Sequence, residues 1–306
     1  MKVFEAEQFI KEQLKRIYDE QESTNIASLS VEHITSLSKS QRILKKDEEL
    51  SISQLTQIQA HLQRLKKHEP IQYITNKAWF NGMELYVDQN VLIPRPETEE
   101  LVKWIVDDAK ASGKDVFVRG PMEADETTQL KILDIGTGSG CIALALKKTM
   151  PKAEVWACDV SEEALNVARR NGSDLDVRVD FQGLNFLDEE QQKQLPTVDI
   201  IVSNPPYVPL EDKEQMHRNV VDHEPHAALF VPNNDPLVFY KAIIQFSKKR
   251  LYKNGSIYLE IHEQLGKDVV NLFQQTGFDK IELRKDMQGK DRMVKIGLLH
   301  ATSPGR

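Results

Sequence analysis

The chain has 306 residues, and 40 Lys and Arg against 47 Asp and Glu leave a formal charge of −7. At about 100–200 residues per domain, that length favours two domains with a sizeable core. The acidic total counts against a dedicated nucleic-acid binder, which carries a basic face, and the two cysteines, Cys141 and Cys158, make no disulfide framework and match no zinc spacing.

The first residues, 1–16, are interrupted by Glu5, Glu7 and Glu12 and lack the apolar centre of a signal peptide. No apolar run approaches the roughly 18 residues of a membrane-spanning helix. A soluble, cytoplasmic protein without membrane attachment or metal site is expected. Up to about residue 70 the pattern is helical: Phe9, Ile10, Leu14, Ile17 and Tyr18 recur at helical spacing, and Leu29, Ile34 and Leu37 do so more loosely. The clearest stripe is Ile52, Leu55, Ile58, Leu62 and Leu65, with Ser51 and Gln54 forming a capping box at its start and Pro70 soon after its end. Such stripes are core packing. The helical region, residues 1–76, carries no chemistry of its own and is expected to recognise a partner. The paired lysines Lys45-Lys46 and Lys66-Lys67 read most simply as solvated helix faces, with contact to RNA or an acidic partner as the functional alternative.

Asn81-Gly82, flanked by Trp79, Phe80, Tyr86 and Val87, suits the positive φ angles of a tight hairpin turn. Residues 77–95 are therefore expected to be a β-hairpin linking two domains. Pro94 and Pro96 impose an extended approach, and Pro96 also suits the first turn of a helix. There Glu97, Glu99 and Glu100 favour the helix dipole. Residues 112–128 are polar and unpatterned, and read as a loop. Beyond them, apolar strand segments at 132–135, 155–158, 199–202 and 256–261 alternate with helical segments at 142–148, 161–171 and 237–251. This predicts an α/β fold over residues 96–306, a Rossmann-like sheet wrapped by helices.

Two constellations carry chemistry. Leu133-Asp134-Ile135-Gly136-Thr137-Gly138-Ser139-Gly140 ends a buried strand on alternating glycines and opens a helix, so that a ligand can approach the main chain closely. Asp159, 19 residues beyond Gly140, ends the next strand, where an acid can accept hydrogen bonds from two ribose hydroxyls. The G-x-G-x-G spacing is tighter than the dinucleotide G-x-G-x-x-G and suits a cofactor without phosphates, such as S-adenosylmethionine. Alone, the loop could equally be a ligand-free strand-to-helix turn.

The second constellation is Asn204-Pro205-Pro206-Tyr207, which follows the buried strand ending at Ser203. A planar amide or aryl amino group is a poor nucleophile because its lone pair is delocalised. To accept a methyl group it needs both N–H bonds held by acceptors, which the Asn204 side-chain oxygen and the Pro205 carbonyl can supply. The prolines stiffen the turn, and Tyr207 offers a ring face to a flat group. All four residues also favour ordinary turns. The glycine loop, read as one end of the same crevice, tips the balance towards catalysis.

With these motifs quoted, the sequence resembles the HemK family, the protein-(glutamine-N(5)) methyltransferases acting on peptide chain release factors. The resemblance spans most of the chain, through Pro70-Ile71-Gln72-Tyr73-Ile74, Ile93-Pro94-Arg95-Pro96-Glu97-Thr98-Glu99, the glycine loop, Asp159-Val160-Ser161, Asn204 to Tyr207, Glu224-Pro225 and Ala228-Leu229-Phe230. The Ile-Pro-Arg-Pro-Glu-Thr-Glu run is its specific part. The resemblance implies a helical domain that docks the release factor, and a domain that methylates the glutamine of its Gly-Gly-Gln loop. Gly136, Thr137, Gly138, Ser139 and Gly140 would contact the cofactor's methionine end and Asp159 its ribose. Asn204 would touch both cofactor and substrate; Asn204 and Pro205 would hold the glutamine amide, and Pro206 and Tyr207 would complete its pocket.

The chain departs from the family at the adenine position, where Asn185, with Phe186 as the alternative, is assigned, and at His262, where a glycine is commoner. For His262 a solvated or hydrogen-bonded residue at a helix start is the simpler reading than catalysis. Cys141 and Cys158 read as small buried residues beside the turns. The competing function is amino methylation of a nucleic-acid base, adenine in DNA or guanine in ribosomal RNA, which the same Asn-Pro-Pro-Tyr turn would serve. It requires a gripped duplex and a flipped base, and the acidic chain lacks a basic module for that. A monomer without stable nucleic-acid association is expected.

Overall fold

The computed structural model describes residues 1–112 and 129–297; the loop expected over 112–128 therefore lies, beyond Ser112, outside the described residues. The chain divides into two units, Met1–Lys77 with Met216–Glu224, and Ala78–Gln215 with the residues from Pro225 onward.

The first unit holds helices α1 (Val3–Leu14), α2 (Glu20–Thr35), α3 (Lys39–Leu44), α4 (Ile52–Leu65) and α5 (Ile71–Thr75). Asp19 caps α2 by accepting the Glu22 N–H, and the Ser51–Gln54 capping box starts α4 as its sequence indicates. On α4 the buried face is Ile58, Leu62 and Leu65, while Ile52 at its first turn is 85% exposed. On α2 the spine is Ser23, Ile26, Ala27, Ser30, Val31 and Ile34, not the looser Leu29 register, and Leu29 is exposed. Serines occupy two spine positions because each finds a partner: the Ser23 hydroxyl donates to the Tyr18 carbonyl, and Ser30 Oγ shares a 2.6 Å hydrogen bond with His61 Nδ1. Burial pushes the His61 imidazole down to about 4, so it is neutral at physiological pH. In the same unit, His223 Nε2 donates to the Lys67 carbonyl at 2.9 Å.

The second unit begins with the hairpin β1 (Ala78–Phe80) and β2 (Met83–Leu85), whose turn has Asn81 and Gly82 at φ +50° and +72°. Alternation turns Phe80, Met83 and Leu85 inward, onto α6 (Pro96–Ala111) residues Leu101 and Ile105. Then follow β3 (Lys131–Ile135), α7 (Cys141–Thr149), β4 (Glu154–Asp159), α8 (Glu162–Asp174), β5 (Asp180–Gly183), α9 (Glu189–Gln192) and β6 (Val198–Ser203). The remaining elements of this unit, which exclude α10 (Arg218–Val221), are the short β7 (Val208–Pro209) and β8 (Phe230–Val231), α11 (Val238–Arg250), β9 (Leu251–Glu260), α12 (Gly266–Gln275), β10 (Lys280–Lys285) and β11 (Asp291–Gly297).

The main sheet among the described residues has seven strands in the order β10-β11-β9-β6-β3-β4-β5. β11 alone in this sheet runs antiparallel to the others. Its central strands are apolar on both faces. Ile132, Val155 and Val202 pack with α6 and α7, whereas the neighbouring Leu133, Ile201 and Leu259 pack with α11 and α12. The chain winds outward through β4 and β5, then returns to the other side of β3 to place β6, so the strand order reverses between β3 and β6. In such sheets a crevice opens at that point beyond the carboxyl ends. Among the described residues no helix is long and apolar enough to cross a membrane.

Phe80 is fully buried in the core shared with α6. Phe80→Ala is expected to cost about 3–5 kcal/mol, measured by urea denaturation; a loss below about 1 kcal/mol would mean that the hairpin contributes little to this unit.

Candidate active site

The register of β3 and β6 pairs Ile135 with Ser203, and the Ser203 hydroxyl donates to the Ile135 carbonyl at 2.7 Å. The next residues along each strand are Gly136 and Asn204, so the two chemistry-bearing turns leave the sheet side by side.

The glycine loop turns under tight local control. The Gly136 and Thr137 amides both donate to the Cys158 carbonyl, and the Gly138 amide donates to Asp159 Oδ2 at 2.8 Å. Gly136 and Gly138 adopt φ +72° and +54°, and a Cβ on either would meet nothing within 4 Å. These glycines answer to backbone conformation and to the open space above them. Gly140, at φ +81°, differs: a Cβ there would stand 3.1 Å from the Ala168 Cβ, so it serves close packing of the helix opening. Beneath the loop, the Thr137 hydroxyl donates to Asp134 Oδ2 at 2.7 Å, and Asn171 Nδ2 donates to the Ser139 carbonyl at 2.9 Å. Burial pushes the Asp134 carboxyl up to about 7, against the pull of the Thr137 hydrogen bond.

Asp159 ends β4 beside this loop. Its second oxygen accepts the Ser161 amide at 3.0 Å, and burial raises its carboxyl above the ordinary range, while these backbone donors favour the charged form. Across the crevice, Asn204 Nδ2 donates to Thr98 Oγ1 at 3.3 Å, and the Thr98 hydroxyl donates to Glu260 Oε2 at 2.6 Å. Tyr207 OH donates to Glu260 Oε1 at 3.2 Å. Glu260 closes β9 and is 2% exposed; burial raises its carboxyl, opposed by Thr98, Arg292 and Tyr207.

A cavity of about 190 Å³ opens at this point, entirely within the second unit. Gly136, Thr137, Gly138, Ser139, Asp159, Asn185, Phe186, Asn204, Pro205 and Pro206 all line it. Gly140 and Tyr207 are not among its lining residues: Gly140 faces α8, and the Tyr207 hydroxyl is turned to Glu260, while its ring meets that of His262 edge-on at 5.9 Å. Both adenine candidates are present. Asn185 is exposed, with its side-chain oxygen accepting the Leu187 amide, and Phe186 is buried against Phe246. His262 Nδ1 accepts the Gln264 amide at 3.3 Å, the bond of a turn residue, and burial lowers its basicity.

Cys141 and Cys158 are free and buried, and burial pushes the Cys141 thiol up to about 12 and that of Cys158 higher, so neither is a thiolate nucleophile. No cluster of three potential metal ligands occurs among the described residues. Sequence reasoning missed Thr98 and Glu260 as site residues, along with Leu92, Pro94, Arg95 and Phe239 of the lining. Thr98 lay in the Ile-Pro-Arg-Pro-Glu-Thr-Glu run, and Glu260 carried the signal of a lone acid ending an apolar strand.

Two family descriptions match the sequence: "PrmC N-terminal domain" over residues 5–75 and "Methyltransferase small domain" over residues 114–227. The release factor glutamine methyltransferase of Flavobacterium psychrophilum is 42% identical over 283 residues, covering 92% of this chain and 94% of the relative. That of Bacteroides thetaiotaomicron is 38% identical, covering 94% and 96%. The chain belongs to the release factor glutamine methyltransferase family. Among solved structures, the hMettl16 catalytic domain in complex with MAT2A 3'UTR hairpin 6 is similar in fold, with a TM-score of 0.51 at 19% identity over 80% of this chain and 81% of that one.

Asp134 binds its proton more tightly folded, at about 7, than at its ordinary value of 3.8. Its contribution to stability is therefore full at acidic pH, declines as pH rises between these two values, and is constant above them. Compared by urea denaturation at about pH 5 and about pH 8, Asp134→Asn is expected to lose less stability than wild type over that interval; parallel losses would contradict the assignment.

Proposed function

We propose that the protein transfers a methyl group from S-adenosylmethionine to the side-chain amide nitrogen of the glutamine in the Gly-Gly-Gln motif of peptide chain release factors. The carrying observation is the adjacency of the Asn204 turn to the glycine loop, where an amide held by Asn204 would lie beside a cofactor held by Gly136 and Gly138. The names of the curated relatives, release factor glutamine methyltransferases, support this substrate over a nucleobase.

The residues suit the cofactor. A loop with no Cβ obstruction at Gly136 and Gly138, followed by a carboxylate at Asp159, fits an amino-acid end and a vicinal diol, with Asn185 or Phe186 towards the base. When bound, S-adenosylmethionine supplies an electrophilic methyl on a sulfonium. The protein's own work is on the acceptor. Because Asn204 Nδ2 is turned to Thr98, its Oδ1 is left to accept one N–H of the glutamine amide. The Pro205 carbonyl accepts the other. Pinning both N–H bonds fixes the plane of the amide and aims its nitrogen lone pair along one direction, a gain of orientation rather than of acid–base chemistry. The methylated nitrogen then carries one proton too many and loses it to water, so no general base is required. Pro205 and Pro206 restrict the turn and hold the acceptors in place before substrate arrives. The helical unit, whose residues 5–75 match the PrmC N-terminal domain in sequence, is assigned to docking the release factor.

Purified protein with labelled S-adenosylmethionine should label release factor in preference to DNA or ribosomal RNA offered in parallel; labelled nucleic acid beside untouched release factor would refute the reading. Asn204→Ala is expected to reduce transfer by about 100-fold or more, with cofactor affinity measured by calorimetry little changed. An unaltered rate would remove Asn204 from its assigned role.

A further inference from the structure

We infer that Thr98 and Glu260 are positioning residues for Asn204: the Glu260 carboxylate fixes the direction of the Thr98 hydroxyl, and through it which end of the Asn204 amide faces the cavity. The inference rests on the reading of Asn204 as the acceptor of the substrate amide.

The three groups come from distant parts of the chain, the first turn of α6, the last residue of β9 and the turn after β6, and converge in the interior. Thr98 and Glu260 are each 2% exposed. A carboxylate has only acceptor sites, and a hydroxyl has a single proton. At 2.6 Å from Glu260 Oε2, Thr98 commits that proton to the carboxylate. What it can offer Asn204 is a lone pair, and a lone pair takes an N–H. Asn204 Nδ2, 3.3 Å away, is the group that meets it. Asn204 Oδ1 is thereby left to receive a substrate N–H. Reversed, the amide would present its own NH2 to the NH2 of a glutamine, donor against donor, with no hydrogen bond formed.

Glu260 is itself held in one pose. Tyr207 OH donates to its other oxygen at 3.2 Å, Tyr240 OH donates to its main-chain carbonyl at 3.2 Å, and the nearby Arg292 guanidinium supplies compensating charge. Burying a carboxylate is more costly than burying a neutral side chain of the same size. A neutral glutamine would fill the space, but its Nε2 donates. Its single acceptor oxygen cannot take both the Thr98 and the Tyr207 hydroxyls, and where Nε2 faces Thr98 that hydroxyl turns away and leaves its proton to Asn204, which favours the reversed amide. A carboxylate accepts at both ends, so it takes both hydroxyls at once and fixes the observed direction whichever way it is turned.

Three variants separate direction-setting from packing. Thr98→Ser keeps the hydroxyl, Thr98→Val keeps the shape without it, and Glu260→Gln keeps the shape while adding a donor. With release factor as substrate, Thr98→Val and Glu260→Gln are expected to lower kcat by about 10- to 100-fold, with KM for release factor and Kd for S-adenosylmethionine near wild type. Thr98→Ser should recover most of the rate. In the free protein, the 15N–1H signals of the Asn204 side-chain amide should move in Thr98→Val and Glu260→Gln and stay in place in Thr98→Ser. Wild-type kcat in Glu260→Gln and Thr98→Val, an equal loss in Thr98→Ser, or amide signals unmoved by every variant would overturn the relay. Should wild type fail to methylate release factor, the functional reading alone falls, and the relay is decided by the amide signals.

Discussion

The site depends on two parallel strands, β3 and β6, lying side by side where the winding of the sheet changes direction. Loops that leave adjacent strands at such a point diverge to opposite faces, and the gap between them cannot be closed by local chain. Here the register is pinned at its last pair, Ile135 with Ser203, and the Ser203 hydroxyl ties the two strand ends together. A shift of one residue in either strand would carry the glycine loop away from Asn204 and turn the apolar residues of that strand out of their layers. The double-sided apolar core that fixes the register therefore also fixes the distance between the glycine loop and the Asn204 turn.

Around that gap the protein keeps three buried or nearly buried carboxyl groups, Asp134, Asp159 and Glu260, and burial raises each of them. None stands alone. Asp134 takes the Thr137 hydroxyl, Asp159 takes the Gly138 and Ser161 amides, and Glu260 takes the Thr98 and Tyr207 hydroxyls. Each acts on geometry: the first two shape the glycine loop, and the third governs the Asn204 turn. The same interior suppresses competing chemistry, since Cys141 and Cys158 are kept as thiols beside the cavity.

Much of this was legible in the residues because local chemistry determined it. The Asn81-Gly82 turn, the Ser51–Gln54 capping box, Pro96 opening α6 and the glycines after β3 each act over a few positions. Other features were hidden for identifiable reasons. The spine of α2 uses serines whose hydroxyls are satisfied by partners elsewhere, so an apolar count misplaces its face onto Leu29. Strands β5 and β10 escaped because they are edge strands rich in polar residues, and β11 because its buried Met293, Val294 and Ile296 are broken up by Asp291, Arg292 and Lys295. The hydroxyl of Tyr207 has a partner that its place in the motif does not reveal, the Glu260 carboxylate. The Thr98–Glu260 bond joins residues 162 positions apart, a separation at which no local pattern records the contact.

The central claim is that the acceptor is a planar amide nitrogen pinned between Asn204 and Pro205. Tandem mass spectrometry of release factor after reaction with S-adenosylmethionine locates the new methyl group directly. The account predicts one methyl on the side-chain amide nitrogen of the Gly-Gly-Gln glutamine. A methyl on any other residue, or none on release factor while a nucleobase is modified, would contradict it.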